Sequence, residues 1–141
     1  MRKVSESLPM VLLQAREVTM EYFRPILNQH SVTEQQWRII RALKENGELE
    51  ARHLAEVCCI LSPSLTGIVK RMERDGFIER RRPDSDHRRT CISLSAKGEK
   101  LFDSIAPALE ESHDRLNARV GRKRLDKLLA LLHEVKSLGG G

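Results

Sequence analysis

The clearest chemical pattern lies in Ser62, Ser64, Thr66, Lys70, Arg71 and Arg74, followed by Arg80, Arg81, Arg82, Arg88 and Arg89. Small hydroxyls permit close approach, and cations reach phosphate oxygens or guanine edges, so this set has the chemistry of a nucleic-acid surface. Residues 70 to 90 hold eight Lys or Arg against five acids. In a purely structural hairpin, crowding Arg80–Arg82 with Arg88 and Arg89 would cost stability through self-repulsion. Against a phosphate backbone each cation releases counterions and adds affinity. A solvated helix face would explain any single residue here, but the density of cations favours DNA.

Other chemistries find less support. No nucleophile elbow, phosphate loop or dinucleotide fingerprint occurs, so the chain reads as a protein that is not an enzyme and carries no cofactor. The five histidines (His30, His53, His87, His113 and His133) lack HxxxH or HExxH spacing, and the three cysteines lack CxxC spacing, so no metal site is expected. Cys58 and Cys59 leave open a redox-sensing alternative, although a vicinal pair inside a helix does not easily close a disulfide. A second basic cluster, Arg115 to Lys127, reads as a solvated turn.

Several elements must position the basic set. Apolar steps of three and four from Leu8 to Leu27 predict one long amphipathic helix, with Pro25 bending its last turn. Thr33 with Gln36 forms a capping-box pattern opening a helix that stops near Asn46-Gly47. A short helix follows over 51–58. Ser62-Pro63 reads as an N-cap and first helical residue, opening a helix that ends at Gly76. Two strands, 77–82 and 90–94, flank the turn residues 83–86. Ser95 is placed to cap a long helix kinked at Pro107, Gly121 interrupts it, and a leucine-rich helix precedes a glycine tail expected to be disordered.

Two short helices joined by a turn and followed by a basic hairpin form the pattern of a winged helix-turn-helix. The fold class expected is therefore mainly α, a winged helix-turn-helix between long N- and C-terminal helices. Its 141 residues, with 40% hydrophobic and 32% charged, suit one domain. The segments are 1–32 for the N-terminal helix, 33–95 for the DNA-binding lobe and 96–141 for the C-terminal helices. The net charge of +5 tolerates nucleic acid as a partner. The apolar run 8–13 contains Pro9 and is too short to span a membrane, so a cytoplasmic protein is expected.

Ser62-Pro-Ser-Leu-Thr-Gly-Ile, Arg71-Met-Glu-Arg-Asp-Gly-Phe-Ile, Asp86-His-Arg-Arg and Ile92-Ser-Leu-Ser-Ala-Lys-Gly resemble the MarR family of transcriptional regulators. The runs Leu12-Leu-Gln-Ala-Arg-Glu, Tyr22-Phe-Arg-Pro-Ile and Glu34-Gln-Gln-Trp-Arg-Ile-Ile are similar to its homoprotocatechuate-operon subgroup. The resemblance implies a homodimer whose terminal helices interleave as a dimerisation scaffold, bound to a pseudo-palindromic double-stranded operator. It places Ser64, Thr66, Lys70 and Arg71 on the recognition helix, Arg88 at the wing tip and Asp86 where it orients Arg88. Gly67 stands where many members carry arginine.

The implied activity is repression of an aromatic-compound catabolic operon, relieved by a small aromatic acid or its thioester. A constitutive DNA-binding protein without ligand is the remaining alternative. Arg16 lies at the edge of the first helix's apolar stripe, one turn after Leu12 and on the side of Thr19 and Phe23. It would either serve structure, pairing with an acid such as Glu21 or Glu34 or snorkelling into solvent, or grip an effector carboxylate in bidentate fashion. In the second case Trp37 would offer its ring face to the aromatic effector.

Overall fold

Thr33 starts the helical lobe by local chemistry alone. Its Oγ1 accepts from the Gln36 N–H at 3.0 Å while Gln36 Oε1 accepts from the Thr33 N–H at 3.0 Å, a reciprocal capping box. In this computed structural model, which describes residues 1–139, the helix so opened is α3 (Glu34–Asn46). It follows α1 (Leu8–Met20) and α2 (Arg24–Gln29) and precedes β1 (Leu49–Glu50). Then come α4 (Ala51–Cys58), α5 (Ser62–Arg74), β2 (Ile78–Arg81), β3 (Cys91–Leu94), α6 (Ala96–Val120) and α7 (Arg122–Lys136). The fold is the mainly helical winged helix-turn-helix expected from the sequence.

Four local departures have physical causes. The long first helix does not bend at Pro25 but stops at Met20, and α2 starts at Arg24. Pro25 lacks an N–H and its ring would meet the Glu21 carbonyl, so residues 21–23 close with i→i−3 bonds instead. Ser62 is the first residue of α5, not its cap. Leu61 takes the cap position without a side-chain bond, and Pro63 follows within the first turn. The wing gains a two-residue strand, β1, too short to show periodicity. Gly139, first of the glycine tail, closes a turn by donating to the Lys136 carbonyl at 3.0 Å, while Gly140 and Gly141 lie outside the described residues.

The chain divides into two units, 24–107 and a second made of 1–23 with the segment from residue 108 onward. In the unit 24–107, α3, α4 and α5 pack around Ile39, Ile40, Leu54, Leu65, Ile68, Val69 and Met72, all buried. The sheet runs in the order β1-β3-β2, antiparallel, with Leu49 opposite Ile92 and Ile78 opposite Leu94. Ser95 ties the sheet to α6. Its Oγ accepts from the Gly98 N–H at 3.0 Å, capping the helix, and donates to the Gly76 carbonyl at 2.5 Å.

In the other unit Gly121, at φ 92°, separates α6 from α7. Arg119 Nη1 donates to Tyr22 Oη at 3.0 Å, and the Phe23 and His113 rings lie 4.4 Å apart. Arg115 bonds Ser112 and Arg124 bonds the Val120 carbonyl, so much of the second basic cluster serves local structure. Neither α1 nor α7 buries a single residue, although both carry apolar stripes.

Two glycines are expected to respond in opposite senses. A Cβ at Gly98 would collide with the Phe77 carbonyl oxygen. Gly98→Ala should therefore lower stability by about 1–3 kcal/mol. At Gly67 an added Cβ meets only Arg71 Nη1 at 3.5 Å. Gly67→Ala should raise stability by about 0.5–1 kcal/mol through helix propensity. Urea midpoints shifting down and up respectively would bear this out; a neutral Gly98→Ala would contradict the close approach of α6 to the wing.

Candidate nucleic-acid interface

The apolar residues of α5 divide it lengthwise. Leu65, Ile68, Val69 and Met72 recur at steps of three, one and three and are buried, each contributing roughly 1.5–3 kcal/mol of transfer free energy. The same period leaves Ser62, Ser64, Thr66, Lys70, Arg71 and Arg74 on the exposed side. Thr66 Oγ1 donates to the Ser62 carbonyl at 3.1 Å, which keeps that hydroxyl close to the helix surface. Arg74 pairs with its neighbour Asp75 at 3.4 Å.

Both ends of α5 are defined. At its C-terminus the Phe77 N–H donates to the Met72 carbonyl (2.9 Å) and the Gly76 N–H to the Glu73 carbonyl (3.0 Å), with Gly76 at φ 86°. This is the left-handed closure that glycine permits. At its N-terminus, the missing side-chain cap leaves the Ser62 and Ser64 N–H groups without helical acceptors. A shallow groove of about 400 Å³ opens there, lined in part by Arg52, Glu56 and Ser62. Orphan N–H groups, the helix dipole and a nearby guanidinium together suit an anion such as a phosphate. The sequence pattern did not single out Arg52, which sits on the preceding helix.

The wing departs from the expectation of self-repelling arginines. Arg81 makes a bidentate pair with Glu48 (2.8 and 2.5 Å), Arg80 pairs with Glu73 of α5 (2.8 Å), and Arg89 pairs with Glu50. Three of the five cations are thus matched by acids outside the wing loop. The Arg81 guanidinium holds the Glu48 carboxyl below the usual range, and Arg80 does the same for Glu73. The Arg80–Glu73 pair also fixes the wing against α5.

Arg88 differs from these. Asp86 Oδ1 accepts from both its backbone N–H (3.0 Å) and its Nε (3.1 Å), while the side chain remains 92% exposed. These two bonds lower the Asp86 pKa. Arg82 reaches the His87 carbonyl across the loop at 3.3 Å.

The two effector candidates lie in different units. Arg16 is half-exposed on α1, with Nη1 3.8 Å from Glu17 and its carbonyl accepting from Thr19 Oγ1 at 2.8 Å. Trp37 is buried on α3 and stacked on Phe102, ring centroids 5.4 Å apart and planes 7° from parallel. One face of the Trp37 ring is therefore taken by Phe102.

The cysteine pair is likewise corrected. Cys58 ends α4, buried, with its thiol pushed up to about 11 by burial. Cys59 lies beyond the helix in left-handed conformation (φ 53°), exposed. Among the described residues no three of His, Cys, Asp and Glu are placed to hold a metal ion. No helix among them is long and apolar enough to cross a membrane.

A helix with one buried and one polar face, followed by a three-stranded wing tipped with an oriented arginine, defines a winged-helix DNA-binding protein. Residues 32–90 match the MarR family profile. The chain is 46% identical to the HTH-type transcriptional regulator FarR of Neisseria gonorrhoeae, over 90% of this chain and 87% of that protein. It is 45% identical to the homoprotocatechuate degradative operon repressor of Escherichia coli, over 95% and 90%. The crystal structure of NadR in complex with 4-hydroxyphenylacetate superposes with a TM-score of 0.83 at 45% identity, covering 96% of each chain. The chain belongs to the MarR family of DNA-binding transcriptional regulators, whose proteins are dimers.

The cysteine geometry has a direct consequence for reactivity. Brief alkylation of the native protein at pH 8 should label Cys59 and spare Cys58 and Cys91, because a thiol must be exposed and ionised to react. Peptide mapping by mass spectrometry reads the outcome. Equal labelling of Cys58 would contradict its burial.

Proposed function

We propose that the chain represses an aromatic-compound catabolic operon and is released from DNA by a small aromatic acid or its thioester. The observation that carries the DNA half is the polar face of α5, beside a wing whose Arg88 is oriented by Asp86. On this reading Ser64 and Thr66 meet base edges, and Ser62, Lys70, Arg71 and Arg74 meet phosphates or guanine edges. Arg88 enters the minor groove, where the negative potential is concentrated, and Asp86 keeps it extended. Arg89 contacts the backbone by exchanging Glu50 for phosphate, and Arg52 joins Ser62 at the N-terminus of α5.

The dimer is made by the terminal helices. Leu13, Val18, Leu128, Leu129 and Leu131 are all more than 40% exposed in the single chain. Apolar side chains left in solvent along both helices favour burial against a second copy. Residues 1–32 and 96–141 then serve as scaffold and 33–95 as the DNA lobe, two lobes meeting one pseudo-palindromic operator in the cytoplasm. Half-site centres stand about 10 bp apart, one turn of B-DNA.

As separate candidates, Arg16 offers a guanidinium to the effector carboxylate, and the uncovered side of Trp37 offers a surface to an aromatic ring. The relative holding 4-hydroxyphenylacetate supports an aromatic acid of that kind. Release follows if the effector binds a lobe spacing that misfits the grooves more tightly than the DNA-bound one. A redox switch through a Cys58–Cys59 disulfide is disfavoured by the buried Cys58 thiol, pushed up to about 11.

Two substitutions test the two halves separately. Arg88→Ala, and less directly Asp86→Ala, should weaken operator binding several-fold by fluorescence anisotropy. Arg16→Ala should leave operator affinity within about threefold yet lose on the order of 2 kcal/mol of effector binding by calorimetry. Unchanged operator affinity in Arg88→Ala would sink the wing assignment. Wild-type effector affinity in Arg16→Ala would remove Arg16 from the effector site, and no binding of any aromatic carboxylate to the wild type would leave a constitutive DNA-binding protein.

A further inference from the structure

The turn that aims α5 is held by a side chain from outside the helix-turn-helix. Arg38, on α3, donates from Nη1 to the Cys58 carbonyl at 2.6 Å and, more weakly, to the Cys59 carbonyl at 3.5 Å. Those carbonyls lie at the C-terminal end of α4, where orphan acceptors and the negative end of the helix dipole attract a cation. The other arm of the guanidinium is steered by acid. Nη2 stands 3.5 Å from Glu34 Oε2, one turn earlier on α3, and Glu34 Oε1 stands 3.6 Å from Arg24 Nη2 at the start of α2. One ionic chain thus runs from α2 through α3 to the end of α4.

This arrangement is not the most stabilising one the site allows. Arg38 Nε is buried with no hydrogen-bond partner among the described residues, a desolvation cost that an apolar side chain would avoid. The turn it grips also holds a non-glycine residue, Cys59, in left-handed conformation, which persists only when its surroundings over-determine it. Only three residues, 59–61, separate α4 from α5, so the backbone angle at Cys59 sets the direction in which α5 leaves the core.

We propose that Arg38 is a positioning residue for base readout, locking the 59–61 turn so that α5 presents its polar face at the angle at which Ser64 and Thr66 reach base edges. Glu34 and Arg24 hold the guanidinium in place. The inference rests on α5 being the reading helix. In this proposal Arg38, half-buried behind the turn, acts through α5 and not on DNA directly, so its loss should degrade discrimination between sequences and leave the non-specific phosphate attraction intact.

The test measures dissociation constants for an operator selected from random duplexes and for a scrambled duplex, at one fixed salt concentration. Arg38→Met should lose about tenfold or more on the operator, the scale of a lost base contact, and stay within about twofold on the scrambled duplex. Arg38→Lys keeps the charge beside Glu34 but not the planar fork, and should fall between Arg38→Met and the wild type. If Arg38→Met does not fold, Arg38→Lys and Glu34→Gln decide: each should reduce the ratio of operator affinity to scrambled-duplex affinity, with a wild-type circular dichroism spectrum.

Equal losses on both duplexes, or an unchanged ratio in folded variants, would overturn the proposal and leave Arg38 a structural residue. Thr66→Ala run in parallel keeps the two ideas apart. If it leaves sequence preference unaltered while Arg38→Met lowers the ratio, α5 is not the reader and the positioning role falls with it. If Thr66→Ala alters preference and Arg38→Met does not, only the positioning role fails.

Discussion

The structure depends on the burial of one face of α5. Leu65, Ile68, Val69 and Met72 anchor it to the core formed with α3 and α4, and helical geometry then leaves the hydroxyls and cations no place but the surface. A recognition surface made this way needs no strain within the helix. What it needs is an orientation, and every neighbouring feature supplies one. Gly76 turns the chain into β2, Ser95 joins the wing to α6, Arg80 ties the wing to Glu73, and Arg38 grips the turn before α5.

Electrostatics in the wing follows a division of labour that net charge conceals. Arg80, Arg81 and Arg89 are partnered by Glu73, Glu48 and Glu50, which relieves the repulsion that five clustered guanidinium groups would otherwise build up. Arg88 is held by Asp86 in a way that fixes its direction while leaving it in solvent. A cation pre-organised at low entropic cost is better suited to groove insertion than a freely rotating one. In the other unit the pattern reverses: α1 and α7 carry apolar stripes with nothing buried, a state that a second chain would relieve.

Much of this was legible in the residues, and the parts that were not share a cause. The capping box at Thr33 and Gln36, the closure at Gly76 and the cap at Ser95 are local signals, readable over a few positions. The polar spacing of α5 is equally local. Pro25 reads in the sequence as a bend, but the clash with Glu21 ends α1 at Met20, five residues before it; Ser62 reads as a cap, but Leu61 takes that place. Strand β1 exists only because β3 pairs with it, and the Arg81–Glu48 pair spans 33 residues. Arg38 likewise reaches carbonyls 20 and 21 residues away. Contacts of that separation leave no periodicity and no motif, so a sequence pattern cannot reveal them.

The central claim is that two copies of α5, presented by one dimer, read a two-fold operator. Hydroxyl-radical footprinting of the protein on a selected operator tests it directly. The account predicts two symmetric protected tracts with centres about 10 bp apart, on one face of the duplex. A single asymmetric tract, or protection spread evenly without helical phasing, would contradict it.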